Sequence, residues 1–235
     1  MTKKIGKLYG IGVGPGDPEL LTLKAARILG QVEVVLAAAS TKNDYSLALN
    51  VAKPHIGLQA TVLRLSFPMT RDRDVLMAAW ERNADQVLAL LDAGKDAAFL
   101  TLGDPMTYST FGYLLQTIRA RGRDIPLEIV PGITSYQTAA AMTRTPLVES
   151  GQSLAVVSGI ADPERLTRVL SAVDSAVILK AYRNFPAIRQ ALDTLGLSET
   201  AVFATSLGMD GERIVTGLDQ APERPPYFSL ILVRK

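Results

Sequence analysis

Apolar positions along the chain switch repeatedly between two spacings. Residues 7–13 form an apolar run with β-branched members that ends in glycines, the pattern of a buried strand. At 19–29, Leu20, Leu23, Ala26 and Leu29 recur at helical intervals. The alternation continues, predicting strands at 32–37, 61–65 and 97–102 and helices at 46–53, 72–92 and 111–121, the last stopped by Gly122. Strands that are apolar throughout suit a sheet covered on both faces. From about Ile125 the texture changes. A short strand at 127–130 and a small-residue helix at 135–142 precede apolar strands at 153–158, 176–181 and 201–205, with helices at 163–170 and 186–195. Two late strands, 213–216 and 227–233, have no helical pattern between them, which predicts a mixed second sheet. The fold class expected is α/β with two domains, 1–122 and 125–235.

Composition narrows the function classes. The 235 residues are 48% hydrophobic and 20% charged, with no biased segment, as suits a folded enzyme rather than a disordered chain. A net charge of +2 gives no overall field that would draw in nucleic acid, so any acidic ligand must be met by local cations. The absence of cysteine excludes disulfides, thiolate metal sites and a cysteine nucleophile. No His, Asp and Glu cluster has metal-ligand spacing, so no protein-bound metal is expected. Without a signal-peptide pattern at the first residues or an apolar run long enough to span a bilayer, the cytoplasm is the expected location.

Three segments carry the candidate chemistry. The first, Gly10-Ile11-Gly12-Val13-Gly14-Pro15-Gly16-Asp17-Pro18, lies between a strand and a helix, where open α/β sheets bind ligands. A dinucleotide loop needs a third glycine where this chain has Pro15 or Asp17, although Glu33 stands at the distance of the ribose-binding acid. A plain glycine-proline turn is the alternative. The second, Leu102-Gly103-Asp104-Pro105-Met106-Thr107-Tyr108-Ser109-Thr110, offers a carboxylate and several hydroxyls after an apolar strand; it reads as a polar ligand site or as a turn and helix cap. The third, Val130-Pro131-Gly132-Ile133-Thr134-Ser135, supplies a hydroxyl that could do no more than cap the next helix. His55, the one histidine, has no carboxylate partner in sequence and reads as surface or cap.

In order and wording these segments resemble the tetrapyrrole methylases, two-domain methyltransferases of cobalamin and sirohaem synthesis. Residues 12–25 are similar to that family's first signature, Gly103-Asp104-Pro105 to its central one and Pro131-Gly132-Ile133-Thr134-Ser135 to its third. The segments Leu100-Thr101-Leu102-Gly103-Asp104-Pro105, Tyr108-Ser109-Thr110-Phe111 and 227–233 resemble the branch that methylates carbon 20 of precorrin-2 or cobalt-factor-2. Lys180-Ala181-Tyr182-Arg183-Asn184 departs from the family's methionine- or valine-containing wording.

The resemblance implies S-adenosylmethionine as cofactor, S-adenosylhomocysteine as product, and a cleft between the domains. Carried over by motif position, Pro15, Leu102, Gly103 and Asp104 lie at the cofactor, Thr107 and Tyr108 near its amino-acid end, Ser135 and Tyr136 beside it, and Ala181 at a further contact. Asp104 and Tyr108 are the candidates for catalytic assistance, with a structural role open for each. The tetrapyrrole substrate bears many carboxylates, for which Lys42, Arg71, Arg73, Arg144 and Arg183 are candidate partners or, alternatively, solvated surface charges. A homodimer is implied; a nucleic-acid or membrane partner is not expected. The competing readings are another carbon or tetrapyrrole within the family, a nicotinamide-dependent oxidoreductase, and a tetrapyrrole carrier without catalysis.

Overall fold

A computed structural model describes residues 4–39 and 46–235. Lys42 lies outside the described residues. The chain divides into two compact units, 1–134 and 135–235.

The first unit is a five-stranded parallel sheet in the order β3-β2-β4-β1-β5: β1 (Leu8–Gly12), β2 (Val34–Ala39), β3 (Thr61–Ser66), β4 (Ala97–Thr101) and β5 (Leu127–Val130). Helices α1 (Leu23–Leu29) and α2 (Leu47–Ala52) cover one face, with Ala25, Ile28, Leu29 and Val51 packed on Ile11, Val35, Ala98 and Leu100. Helices α3 (Arg73–Asp92) and α4 (Thr110–Ala120) cover the other, with Val87, Leu91, Phe111 and Leu114 packed on Leu8, Leu36, Leu65 and Phe99. Every residue of β4 is buried, so an all-apolar run there is what the position demands. β3 is an edge strand and exposes Thr61 and Val62.

Helix ends follow local chemistry. Asp72 caps α3 by accepting from the N–H of Asp74 and Val75, at 3.0 and 3.2 Å. Ser109 caps α4 by accepting from the N–H of Phe111 at 3.0 Å. Gly94 and Gly122 take the left-handed conformation just after α3 and α4, where a Cβ is disfavoured.

The second unit holds a mixed sheet in the order β6-β7-β10-β8-β9: β6 (Leu154–Ser158), β7 (Ser175–Leu179), β8 (Val202–Thr205), β9 (Arg213–Thr216) and β10 (Ser229–Arg234). Only β6 and β7 are parallel to each other; β10 runs antiparallel to β7 and β8. Helices α6 (Pro163–Ser171) and α7 (Phe185–Thr194) pack on one face through Leu166, Leu170, Ile188 and Leu192. Helix α5 (Ser135–Thr143) packs on the other through Ala139, against Val177, Ala204 and Leu230.

One boundary differs from the sequence expectation. The strand at 127–130 belongs to the first sheet, because Leu127 to Val130 pair with Leu8 to Ile11 of β1. The division therefore falls after Thr134 instead of near residue 123. Nothing in a short apolar strand states which sheet it will join.

On β5, Glu128 is clamped by two ammonium groups, Lys7 Nζ at 2.5 Å and Lys24 Nζ at 2.5 Å. Hydrogen bonds from Lys24 and then Lys7 hold its carboxyl down from an ordinary 4.5 to about 2. A carboxyl depressed on folding stabilises the protein above its unfolded value and loses that contribution as pH falls toward its folded value. Denaturant titrations between pH 5 and 2 should thus show a steeper acid loss for the native chain than for E128Q; parallel curves would mean that the clamp contributes nothing.

Candidate functional site

The order of the first sheet fixes where a ligand can sit. β1 and β4 are neighbours, but β1 leads through α1 toward β2 on one side, while β4 leads through α4 to β5 on the other. The two helices accordingly lie on opposite faces. In open parallel sheets the crevice opens outside the carboxyl ends of such a strand pair. Those ends are Gly12 and Thr101, and the first two segments singled out in the sequence begin there.

Backbone hydrogen bonds tie these loops together. The Val13 N–H donates to Thr101 O at 2.9 Å, the Gly103 N–H to Gly14 O at 2.7 Å and the Gly14 N–H to Gly103 O at 3.4 Å. Asp104 brings in the third segment. Its Oδ2 accepts from the Gly132 N–H at 3.1 Å, while Oδ1 accepts from the Met106 N–H at 2.9 Å and the Thr107 hydroxyl at 3.3 Å. This geometry is that of a clamp across the three loops, in which Asp104 and Thr107 both take part. Ser109 likewise acts as a cap and lies 3.2 Å from the Thr101 hydroxyl.

Glycine is required where the loops cross. A Cβ on Gly12 would lie 2.5 Å from Gly132 N and 2.6 Å from Gly103 O, and a Cβ on Gly132 would lie 2.1 Å from Gly103 O. Gly103 itself has φ +72, and the space beside its α-carbon is open, the nearest atom being Thr134 Cα at 4.0 Å. Backbone is therefore presented bare to whatever occupies the crevice. Pro15 is buried, Leu102, Gly103, Asp104 and Thr107 are half-buried, and Tyr108 is 53% exposed with φ +50. A left-handed φ at a residue with a Cβ is uncommon, and such residues gather at ligand sites.

The dinucleotide alternative fails on the same geometry. The glycine loop runs first into a single 3-10 turn, Pro18–Leu20, where Asp17 accepts from the Glu19 N–H at 2.9 Å. α1 starts only at Leu23, with Thr22 accepting from the Ala25 N–H, so the loop does not aim open helix N–H groups at a pyrophosphate. Glu33 precedes β2 at the opposite end of the sheet and accepts from the Asp96 N–H at 2.8 Å. His55 Nε2 lies 3.3 Å from Pro18 O, a structural tie.

Within the second unit, Ser135 opens α5 and Tyr136 packs beside the cluster of Ala139, Val177 and Leu230. Ala181 is fully buried among Leu166, Phe185 and Ile188, so its side chain faces the core and leaves only backbone for a ligand. The residue just before it has the more unusual environment. Lys180 adopts φ +56 and ψ +43 at the end of β7, and burial, then the charge of Arg183, pushes its ammonium pKa down. Its position in the departing 180–184 segment was the one sequence signal at this place. Arg183 donates from Nε to the Tyr182 hydroxyl at 2.9 Å. Arg71, Arg73, Arg144 and Arg183 are exposed and form no ion pair among the described residues.

Known proteins give this arrangement its class. Residues 7–221 match the tetrapyrrole (corrin/porphyrin) methylases, and the chain belongs to that family of methyltransferases. It is 41% identical to the cobalt-precorrin-2 C(20)-methyltransferase of Salmonella typhimurium, over 98% of this chain and 97% of that one. It is 34% identical to the precorrin-2 C(20)-methyltransferase of a Sinorhizobium species, over 97% of this chain and 95% of that one. Among solved structures, it is similar to the uroporphyrin-III C-methyltransferase of Thermus thermophilus complexed with S-adenosylhomocysteine, at 26% identity, a TM-score of 0.67 and 98% coverage of both chains. A cobalt precorrin-4 methyltransferase with a TM-score of 0.74 and 23% identity shares the fold.

The glycine crossing is open to test. Gly132→Ala forces a Cβ against Gly103 O and should destabilise the protein by about 2 kcal/mol or more in urea unfolding. A change within about 0.5 kcal/mol would mean that the loops are not in this contact.

Proposed function

We propose that this chain transfers a methyl group from S-adenosylmethionine to carbon 20 of precorrin-2 or its cobalt-bearing counterpart in cobalamin synthesis. The observation that carries the reading is the meeting of three glycine-bearing loops at the carboxyl ends of β1, β4 and β5, with bare backbone at Gly103, in a chain similar over almost its full length to carbon-20 methyltransferases.

The residues present fit the cofactor. A cradle of unhindered backbone suits a flat nucleoside, and hydroxyls and a carboxylate suit a polar amino-acid tail. Pro15, Leu102, Gly103 and Asp104 are assigned to holding it, with Thr107 and Tyr108 near the amino-acid end; Ser135, Tyr136 and the backbone of Ala181 are assigned as further contacts. When bound, S-adenosylmethionine supplies a methyl group on a positively charged sulfur, which a carbon nucleophile can take by in-line displacement.

The macrocycle is electron-rich, so the chain's own residues need to align the reactants and exclude water more than to provide a strong base. Asp104 acts here through position: with three hydrogen bonds already accepted, it sets the loop shape. Tyr108 is the candidate to assist the proton leaving carbon 20.

No helix among the described residues is long and apolar enough to cross a membrane. The reading includes a cytoplasmic enzyme working as a homodimer, a state that light scattering measures directly.

Anaerobic incubation with methyl-labelled cofactor and, in parallel, precorrin-2 and cobalt-factor-2 should place label on carbon 20, located by NMR. Label on another carbon would keep the family and overturn this substrate position. In the same assay Tyr108→Phe should lower kcat by about tenfold or more with the cofactor KM little changed; an unchanged kcat would remove Tyr108 from the chemistry.

A further inference from the structure

The carboxyl end of β4 carries a hydroxyl where the rest of the strand is apolar. Every residue of β4 is buried, Ala97 to Leu100 have no polar side-chain atom, and Thr101 closes the strand. A buried hydroxyl needs a partner, and Thr101 Oγ1 lies 3.2 Å from Ser109 Oγ. The carbonyl of the same residue accepts from the Val13 N–H at 2.9 Å. Thr101 thus holds the first glycine loop by its backbone and the start of α4 by its side chain.

Capping alone does not call for that tie. Thr22, Asp72 and Asp162 cap α1, α3 and α6 by accepting from N–H groups, with no strand side chain bonded to the capping oxygen among the described residues. At α4 the extra bond stands next to a strained residue. Tyr108 immediately precedes Ser109, has φ +50 and is 53% exposed. Its other neighbour, Thr107, is fastened to Asp104, by its hydroxyl to Oδ1 at 3.3 Å and by its N–H to the carbonyl at 3.4 Å.

The fold by itself gives no reason for a tyrosine here. Glycine takes this φ without strain, and a half-exposed ring adds little to the core. A side chain in the left-handed region leaves the backbone in a direction that neither helix nor strand offers, and ties on both sides hold Tyr108 there.

We propose that Thr101 is a positioning residue for the methyl transfer: acting through Ser109, its hydroxyl fixes Tyr108 in the left-handed conformation and so sets where the phenol stands relative to the cofactor cradle. The inference rests on the reading above that Tyr108 assists the proton leaving carbon 20, and adds to it a residue that acts through another. Thr101 suits the task because its carbonyl joins the cradle and its hydroxyl joins the turn that carries Tyr108. Valine at this position keeps the branched shape that a buried strand favours and loses the bond.

The test uses the full chain with T101V, T101S and S109G, and T101V combined with Y108F. S109G cuts the same bond from the other side, while glycine remains an acceptable helix cap. T101V and S109G should each lower kcat by about tenfold, the loss expected for one neutral hydrogen bond, with the S-adenosylmethionine KM and the S-adenosylhomocysteine affinity by calorimetry held. T101S keeps the hydroxyl and should restore kcat. In the Y108F background T101V should cost nothing further, because the phenol through which it acts is already gone. Fluorotyrosine labelling gives a readout independent of turnover: the fluorine resonance of Tyr108, assigned by its loss in Y108F, should shift or broaden in T101V and S109G and return to its native position in T101S. An unmoved resonance in T101V and S109G would overturn the proposal. So would a T101V loss that adds in full to that of Y108F, or one matched by weaker S-adenosylhomocysteine binding, since Thr101 would then serve the cradle alone. A displaced resonance with kcat unchanged in Y108F upholds the grip on Tyr108 and sinks the proton reading; a kcat lowered by Y108F but by neither T101V nor S109G does the reverse.

Discussion

Where β1, β4 and β5 end, Gly12, Gly103 and Gly132 approach so closely that no Cβ fits on Gly12 or Gly132. Asp104 then joins its own loop to the third one through Gly132. This contact allows three chain segments far apart in sequence to share one crevice, and it leaves Gly103 with open space beside it. The same close approach explains why the segments carry their chemistry mostly in backbone: side chains large enough to act would hold the strands' ends apart.

The sheet order gives that contact its purpose. Because α1 and α4 leave neighbouring strands toward opposite sides, a gap opens above β1 and β4, and the glycine loops line it. Placing a capped 3-10 turn before α1 moves the helix amino end out of the loop and with it the phosphate-binding device of dinucleotide enzymes. What remains favours a ligand read by shape and by backbone, as a nucleoside-bearing sulfonium is. In the second unit the logic differs. There the sheet is mixed, and antiparallel pairing of β10 brings aromatic and cationic groups from separate strands to one end.

Element positions were legible in the sequence because period is a physical consequence of burial. The fully buried β4 and the long α3 appear where apolar runs and helical spacing predict them. What could not be read was partnership. β5 joins the first sheet through pairing with β1, a choice its four residues do not encode alone. For Ala181, motif position did not state which of its atoms a ligand could meet: its side chain turns into the core of α6 and α7 and leaves its backbone. Asp104 was legible as important, yet only coordinates distinguish a clamp accepting three hydrogen bonds from a base awaiting a proton. The left-handed conformation of Lys180 leaves no signature in composition, since it is imposed by the strands around it on a residue that does not favour it.

The central claim is that the crossing of the three loops is the cofactor's cradle, and amide hydrogen exchange with and without S-adenosylhomocysteine tests it most directly. The account predicts slowed exchange at residues 12–16 and 102–108, with the amino ends of the same strands unchanged. Binding without protection in those loops, or protection confined to the opposite end of the sheet near Glu33 and Asp96, would contradict it.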